Sequence, residues 1–258
     1  MIKFWSYDKE YKKEKKKILS NIEKTISKGN IFFGDQLDNF EKNFIKKYKA
    51  KYGIAVGSGT DALLIALKTL NLKPGDEIIT AANTAIPTIS AIINAGGTPR
   101  LVDIGQDYLI NVKKIKKEIS KKTKAIIPVH LYGQMCEMDS IIKLAKKENI
   151  MVIEDCAQSQ GAKYKNKYSG TIGTFGCFSF YPTKILGAYG DGGFILTNDY
   201  ELYKKIKRIR FYGIETVAKT NFKDKYYANE NGINSRLDEI QASILNLKLK
   251  KVNSFINK

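Results

Sequence analysis

The sequence predicts an α/β protein whose central, mostly parallel sheet is flanked by helices. Between residues 52 and 155, short apolar runs alternate with segments of helical spacing. Several of the runs are continuously apolar, which is typical of parallel strands buried on both faces. This alternation predicts βαβ units. The length of 258 residues suits one large α/β domain or two modest ones.

The first fifty residues predict two helices. Residues 8–28 have helical spacing with a charged face, and residues 35–50 repeat it. The second helix carries its apolar residues three or four apart, with Asp35 as the expected N-cap. These apolar residues are Leu37, Phe40, Phe44 and Tyr48. The segment KGNIFFG (28–34) links the two helices and places an apolar stretch between two glycines.

Apolar runs and helical spacing also predict the strands and helices between residues 52 and 155. The predicted strands are 52–56, 76–81, 99–104, 124–131 and 150–155, and the predicted helices are 58–72, 85–96, 111–120 and 138–149. Ligands of such sheets bind outside the carboxyl ends of the strands. Candidate residues are therefore sought directly after the apolar runs, at 57–60, 82–85, 130–133, 155–158 and 179–184.

The formal net charge of +18 raises the question of nucleic-acid binding. The basic residues are almost all lysines, and the arginines are scattered: Arg100, Arg208, Arg210 and Arg236. Because arginine is the usual reader of base edges and phosphates, we expect no nucleic-acid partner. A basic surface can still steer a phosphorylated ligand towards its site.

Cysteine usage and hydropathy indicate the compartment. Cys136, Cys156 and Cys177 form no CxxC pair, so neither a disulfide framework nor a metal site is expected. The N-terminal residues lack the apolar core of a signal peptide, and no run of about 18 apolar residues occurs. We therefore expect a cytoplasmic protein without a membrane partner.

The run Gly57-Ser58-Gly59-Thr60 follows a predicted strand and opens a predicted helix. Backbone amides and the helix dipole converge at such a position, which suits a single phosphate group. The spacing is neither GxxxxGK[ST] nor GxGxxG, which disfavours a nucleoside triphosphate and a dinucleotide. An ordinary strand-to-helix turn capped by Ser or Thr is an equally good interpretation.

Two further strand ends carry groups with possible chemistry. Asp155 ends a hydrophobic strand, where a carboxylate is costly unless a cation or proton donor pairs with it. A protonated pyridine nitrogen is such a partner, and Gln158 could donate to an oxygen on the same ring; a cap or a salt bridge is the alternative. Lys184 follows Ser179 and Pro182, and a partly desolvated lysine has the lowered pKa that Schiff-base chemistry requires.

Five motifs together resemble one family. These are GSGTDAL, AANTAIPTISAI, IEDCAQSQGA, CFSFYPTKILGAYGDGGFILTND and GINSRLDEIQASIL. They look like the DegT/StrS-type sugar-nucleotide aminotransferases, which are pyridoxal-phosphate enzymes of the aspartate-aminotransferase fold (fold type I). The NTAIPT form is similar to the branch that makes dTDP-3-amino-3,6-dideoxyhexoses. The resemblance implies transfer of an amino group from glutamate to C3 of a dTDP-3-keto-6-deoxyhexose, for surface-glycan amino sugars such as those of lipopolysaccharide O-antigen.

The resemblance also implies roles for single residues. Lys184 matches the lysine that forms a Schiff base with the cofactor and moves the proton, Asp155 matches the partner of the pyridine nitrogen, and Gln158 matches the contact to the ring hydroxyl. The phosphate contacts match Ser58, Gly59, Thr60 and Ser179. Asn234 matches an asparagine that reaches the neighbouring site of a homodimer. Phe32, in a segment resembling the family's mobile loop, and Tyr181 are expected to contact substrate.

Two positions depart from the family pattern. Ala85 stands where many relatives carry an aromatic residue that stacks on the pyridine ring, so cofactor binding here has to rely on other contacts. Gln160 stands where a histidine is frequent, which leaves His130 as the sole histidine. We expect His130 to have a structural role or to act through another residue.

The ending departs as well. Residues 1–240 match the large cofactor-binding domain, and residues 241–258 match the start of a helix leading to a small C-terminal domain that is largely absent from this sequence. We therefore weigh a catalytically silent cofactor-binding fragment or regulatory protein as an alternative, besides a C4 aminotransferase of the same family. A sugar dehydratase is disfavoured, because relatives with that activity replace the lysine by histidine.

Overall fold

The computed structural model describes residue 6, residues 8–215 and residues 227–256. Two helices come first, α1 (Asp8–Ser27) and α2 (Asp35–Tyr48). The α/β part then runs β1 (Tyr52–Val56), α3 (Gly59–Lys68), β2 (Glu77–Ala81), α4 (Ile86–Asn94), β3 (Thr98–Val102), α5 (Val112–Glu118), β4 (Thr123–Ile127), α6 (Met138–Glu148) and β5 (Met151–Asp155). The remaining elements are β6 (Lys163–Tyr164), β7 (Lys167–Tyr168), β8 (Phe175–Ser179), β9 (Gly193–Thr197), α7 (Tyr200–Ile209), α8 (Glu239–Leu249) and α9 (Val252–Ile256).

Seven strands form one sheet in the order β1-β9-β8-β5-β4-β2-β3. Strand β9 runs antiparallel to both of its neighbours, and the other pairings are parallel. Because β9 is reversed between β1 and β8, those two strands point the same way as the rest. The carboxyl ends of β1, β2, β4, β5 and β8 therefore lie at one edge of the sheet, and the predicted fold is confirmed.

Apolar side chains cover both faces of this sheet. Helices α3, α4 and α7 pack on one face through residues such as Ile65, Ile92 and Ile206. On the other face, α2 and α8 pack against β8 and β9, with Phe40 and Phe44 at the centre. Helices α5 and α6 cover the part of that face formed by β2 and β4. The strands are thus buried on both sides, as their continuous apolar sequences predict.

Two local expectations were wrong. Helix α2 has Gly34 rather than Asp35 at its N-cap, and no side chain of the cap residue bonds to the helix. The amides of Gly34, Gln36 and Leu37 instead donate to the carboxylate of Glu239 at 2.8–3.0 Å. Strand β4 ends at Ile127 instead of 131, because Pro128 has no amide hydrogen for the ladder.

Helix α8 begins at Glu239 and lies against α1 and α2. The expected division of the chain near residue 240 stays a prediction. Among the described residues, no helix is both long and apolar enough to cross a membrane.

Candidate active site

A cavity of about 290 Å³ opens at the carboxyl edge of the sheet. Nine residues expected from the sequence line it: Ser58, Gly59, Thr60, Ala85, Asp155, Gln158, Ser179, Tyr181 and Lys184. Larger grooves of about 650 Å³ and 670 Å³ lie elsewhere on the surface, and their linings include none of these residues. The parallel strands therefore bring together groups that are more than one hundred residues apart.

The N-terminus of α3 forms one end of the cavity. Ser58 is the N-cap, and its hydroxyl accepts a 3.0 Å hydrogen bond from the amide of Asp61. The amides of Gly59 and Thr60 are the first two of the helix, so they have no carbonyl partner within it. Both interpretations of the GSGT run are thus compatible: the cap is present, and two amides at the positive end of the helix remain for an anion.

Close packing explains the glycine at position 59. A Cβ atom on Gly59 would lie only 2.6 Å from the Cβ of Ser179. Ser179 ends β8, and its Oγ accepts a hydrogen bond of 3.2 Å from the amide of Tyr181. The hydroxyl hydrogen of Ser179 therefore remains for another acceptor beside the N-terminus of α3.

Asp155 lies at the end of β5 and is only 5% exposed. The amide of Ala157 donates to Oδ1 at 3.1 Å, and the hydroxyl of Thr88 donates to Oδ2 at 2.9 Å. Burial raises the pKa of this carboxyl above its usual range, while these two hydrogen bonds and the charge of Lys184 act in the opposite direction. A cation placed in the cavity would relieve this desolvation cost.

Lys184 is half-buried in the loop that follows β8. Its backbone amide donates to the carbonyl of Tyr181 at 2.9 Å. Desolvation lowers the pKa of its ammonium group, and the charge of Asp155 partly opposes this shift. Lys184 is thus closer than an exposed lysine to the neutral form that acts as a nucleophile.

Two other lining residues have defined orientations. The Oε1 of Gln158 accepts a 3.0 Å hydrogen bond from the amide of Tyr132, which leaves the NH₂ group of Gln158 as a donor. Ala85 is the N-cap residue of α4 and makes no side-chain cap. Its methyl group leaves open the space that an aromatic ring would fill.

Asn234 and Phe32 are not among the residues that line this cavity. Asn234 is exposed and forms an isolated antiparallel bridge with Phe211. Phe32 is 39% exposed, and the guanidinium group of Arg236 lies 4.4 Å from its ring centroid. Their expected roles in cofactor and substrate binding therefore remain predictions.

Sequence reasoning missed three residues that support the site. Thr88 donates to Asp155, as described above. Ser235 accepts from the amide of Gly57 and donates to the carboxylate of Asp61, both at 2.8 Å. Gln160 bonds to backbone groups on both sides of Lys184. All three lie inside the quoted motifs, but nothing in the local sequence shows which backbone groups they reach.

His130, Glu154 and Cys156 form a buried group whose potential metal-ligating atoms lie within 4.8 Å of one another. These atoms are already engaged. The Nδ1 of His130 accepts from the amide of Cys136, its Nε2 lies 3.0 Å from Glu154, and the Glu154 carboxylate also accepts from three amides at 170, 172 and 173. Burial raises the pKa of the Cys156 thiol well above its usual range. The arrangement is therefore a hydrogen-bonded core network, not a site suited to an ion.

Comparison with known proteins places the chain in a family. The profile of the DegT/DnrJ/EryC1/StrS aminotransferase family matches residues 12–258. A dTDP-3-amino-3,4,6-trideoxy-alpha-D-glucose transaminase of Micromonospora megalomicea subsp. nigra is 39% identical over 98% of this chain and 66% of its own length. A dTDP-3-amino-3,6-dideoxy-alpha-D-galactopyranose transaminase of Aneurinibacillus thermoaerophilus is 43% identical over 91% of this chain and 62% of its own length.

Other relatives differ in name. A protein of Geobacillus stearothermophilus named pleiotropic regulatory protein is 44% identical over 93% of this chain and 62% of its own length. Relatives at 37–41% identity are named for UDP- and GDP-linked sugars. The chain spans 62–66% of the length of the three relatives described individually.

Solved structures agree with this assignment. DesV of S. venezuelae, in complex with a ketimine intermediate, superposes with a TM-score of 0.91 at 34% identity, over 98% of this chain and 66% of its own. An NtdA structure of Bacillus subtilis with bound cofactor PMP has a TM-score of 0.85 at 36% identity, over 94% of this chain and 54% of its own. Aminotransferases of this family depend on pyridoxal 5′-phosphate. The chain therefore belongs to the DegT/DnrJ/EryC1/StrS aminotransferase family.

Proposed function

We propose that this chain binds pyridoxal 5′-phosphate and transfers an amino group from glutamate to a nucleotide-linked keto sugar. One observation carries the proposal: Lys184, the buried Asp155 and the N-terminus of α3 line the same cavity. An amine of lowered pKa, a carboxylate that needs a cationic partner and a phosphate-sized anion site match the three polar ends of this cofactor. The proposed location is the cytoplasm.

The residues present fit the cofactor. Its phosphate would be held by Ser58, Gly59, Thr60 and Ser179. A Cβ at position 59 would fill the space between the helix amides and Ser179, so the glycine there lets both groups face the same phosphate. Asp155 would keep the ring nitrogen protonated, and the NH₂ group of Gln158 would donate to the ring hydroxyl. When bound, pyridoxal phosphate supplies an electron sink for the reacting carbon.

Lys184 would do the chemical work of the protein. Its Nζ, whose pKa desolvation lowers, would hold the cofactor covalently until the amino donor takes its place. The released amine would take a proton from the donor carbon and deliver it to the cofactor carbon that had carried the bond to Lys184, so a single residue would act first as a base and then as an acid. Tyr181 is 52% exposed and lines the cavity, which supports the proposal that it contacts the sugar.

We propose C3 of a dTDP-3-keto-6-deoxyhexose as the acceptor position, for surface-glycan amino sugars. Support comes from the two relatives named for dTDP-3-amino sugars and from a UDP-linked relative named for a 3-oxo sugar. The relatives are named for dTDP-, UDP- and GDP-linked sugars. Their names therefore support C3 as the acceptor position more strongly than they support dTDP as the nucleotide. We also propose a homodimer, in which the exposed Asn234 of one copy contacts the cofactor phosphate of the other.

A second candidate is a cofactor-binding protein without turnover, and the relative named as a regulatory protein favours it. Incubation with pyridoxal phosphate, glutamate and dTDP-3-keto-6-deoxyglucose decides between the two. The proposal predicts an amino sugar detected by mass spectrometry, absent with Lys184→Ala. Cofactor binding without amino sugar from any dTDP-, UDP- or GDP-linked 3-keto or 4-keto sugar would overturn it, and amination of the 4-keto isomers alone would move the acceptor position to C4.

A further inference from the structure

Gln160 connects the two ends of the loop that carries Lys184. Its Nε2 donates to the carbonyl of Ser179 at 2.6 Å, and its Oε1 accepts from the amide of Leu186 at 2.6 Å. The side chain is 3% exposed, so water does not replace these bonds. The six residues between the two contacts, 180–185, include Lys184.

The backbone bonds of this loop do not use the Ser179 carbonyl or the Leu186 amide, although the bond from Ala188 to Phe180 also joins its two ends. The amide of Lys184 donates to Tyr181 within the loop, and the amide of Ala188 donates to the carbonyl of Phe180. The amide of Phe180 donates to Gly192. Gln160 is therefore the side chain that supplies partners to the Ser179 carbonyl and the Leu186 amide, since buried backbone groups of this kind are expected to be paired.

The backbone that carries Gln160 is itself fixed to the body of the domain. The hydroxyl of Tyr48, on helix α2, accepts from the amide of Gly161 at 3.1 Å. On the other side, the carbonyl of Ser159 accepts from the hydroxyl of Ser169 at 2.7 Å. The contacts of Gln160 thus tie the Lys184 loop to a segment that is itself bonded to Tyr48 and Ser169. Bonds within the loop would not make this connection.

We propose that Gln160 is a positioning residue that holds the backbone of Lys184 at a set distance from Ser179. This role rests on the proposed function, because it matters only if Lys184 and Ser179 contact the same cofactor. A lysine side chain has four rotatable bonds, so the fixed position of its backbone determines where its amine can reach. A displacement of about 1 Å in such a group is enough to impair a reaction.

The carboxamide of Gln160 offers both a donor, its NH₂ group, and an acceptor, its oxygen. Glutamate keeps the acceptor for Leu186 but turns a carboxylate oxygen towards the Ser179 carbonyl. Methionine has a similar length and volume and removes both bonds. We therefore compare Gln160→Glu and Gln160→Met with a control, Gln36→Met, which removes a half-buried amide that accepts at 3.3 Å from Asn246 outside the cavity.

The first measurement uses the cofactor-free protein. Hydrogen exchange of the peptide covering residues 180–188 should accelerate at the Leu186 amide by about tenfold or more in Gln160→Met, and remain unchanged in Gln36→Met. Unchanged exchange at Leu186 in Gln160→Met would overturn the bridge itself. This readout does not depend on the proposed function.

The second measurement adds pyridoxal phosphate. We expect both Gln160 variants to bind it about tenfold or more weakly and to shift the visible absorbance of the Lys184 adduct, while Gln36→Met keeps the wild-type values. Faster exchange with wild-type affinity and absorbance would overturn positioning and leave only a structural role. If the wild-type chain itself binds no pyridoxal phosphate, the proposed function fails and the positioning role fails with it, whereas the exchange result still stands.

Discussion

The hydroxyl of Thr88 donates a 2.9 Å hydrogen bond to Oδ2 of the buried Asp155. A second hydroxyl, that of Thr84, lies 2.8 Å from the oxygen of Thr88. Since Thr88 has one hydrogen and gives it to Asp155, Thr84 has to donate to Thr88 while Asp155 is ionised. This chain of two hydroxyls stabilises negative charge on a carboxylate whose pKa is raised by burial.

Replacement of this donor tests its effect on cofactor binding. Thr88→Val keeps the shape and removes the bond, and a hydrogen bond to a charged group is worth about 1.5–3 kcal/mol. We expect affinity for pyridoxal phosphate to fall about tenfold or more, measured by titration of visible absorbance. Thr69→Val is the matched control, because it removes a buried hydroxyl bond to Ala66 outside the cavity. Equal affinities in the two variants would contradict the role of Thr88.

Lys184 is expected to cost stability in the cofactor-free protein. Its pKa in the folded state is lowered by desolvation. The charged ammonium group is therefore less stable in the folded chain than in the unfolded chain, where water solvates it. The penalty is fully present at pH values below the lowered pKa and disappears as the pH rises past the ordinary lysine value of about 10.4. Lys184→Met should therefore melt at a higher temperature than wild type at pH 7.5, and this difference should shrink towards pH 10.5. A difference that grows with pH would contradict the account.

The packing of Gly59 against Ser179 predicts a loss specific to phosphate. In Gly59→Ala, the added methyl group has to displace Ser179 or α3, and overpacking of this kind costs about 1–3 kcal/mol. We expect about tenfold or more weaker binding of pyridoxal phosphate, with binding of pyridoxal, which lacks the phosphate, changed little. A similar loss for both compounds would place the effect outside the phosphate site.

The cap that Glu239 provides to α2 predicts a large effect on stability. Glu239→Gln leaves one of three amide donors facing an NH₂ group, which lowers the free energy of unfolding by about 2 kcal/mol. For a domain of this size that corresponds to a fall of about 4–8 °C in melting temperature, followed by circular dichroism. Glu201→Gln is the control, because Glu201 occupies the exposed first turn of α7. Equal melting temperatures for the two variants would show that the cap contributes little.

The sequence predicts which residues meet at the cavity better than it predicts the contacts that hold them in place. Apolar runs mark the parallel strands, and strand ends of one direction meet at one edge, so the approach of Lys184, Asp155 and Gly59 follows from pattern alone. The contacts of Glu239 with Gly34 and of Gln160 with Leu186 do not, because they join segments that only the tertiary packing brings together. Strand β9 was likewise not predicted, since its reversed direction has no signature in a short apolar run.

The glycine-rich segment after Lys184 shows the same limit. Its composition favours a bend, and the structure gives one glycine a further reason. A Cβ on Gly193 would lie 2.2 Å from the carbonyl oxygen of Ser58, so this glycine lets β9 start directly against the cap of α3. Composition alone favours a bend here, whereas the packing requires a close approach of two backbones.

The central claim is that Lys184, among the many lysines of this chain, carries the cofactor. Its most direct test is incubation of the purified protein with pyridoxal phosphate, reduction with borohydride and peptide mapping by mass spectrometry. The account predicts one stoichiometric pyridoxyl adduct, on Lys184, and its loss in Lys184→Ala. Labelling of a different lysine, or no stoichiometric adduct at all, would contradict it.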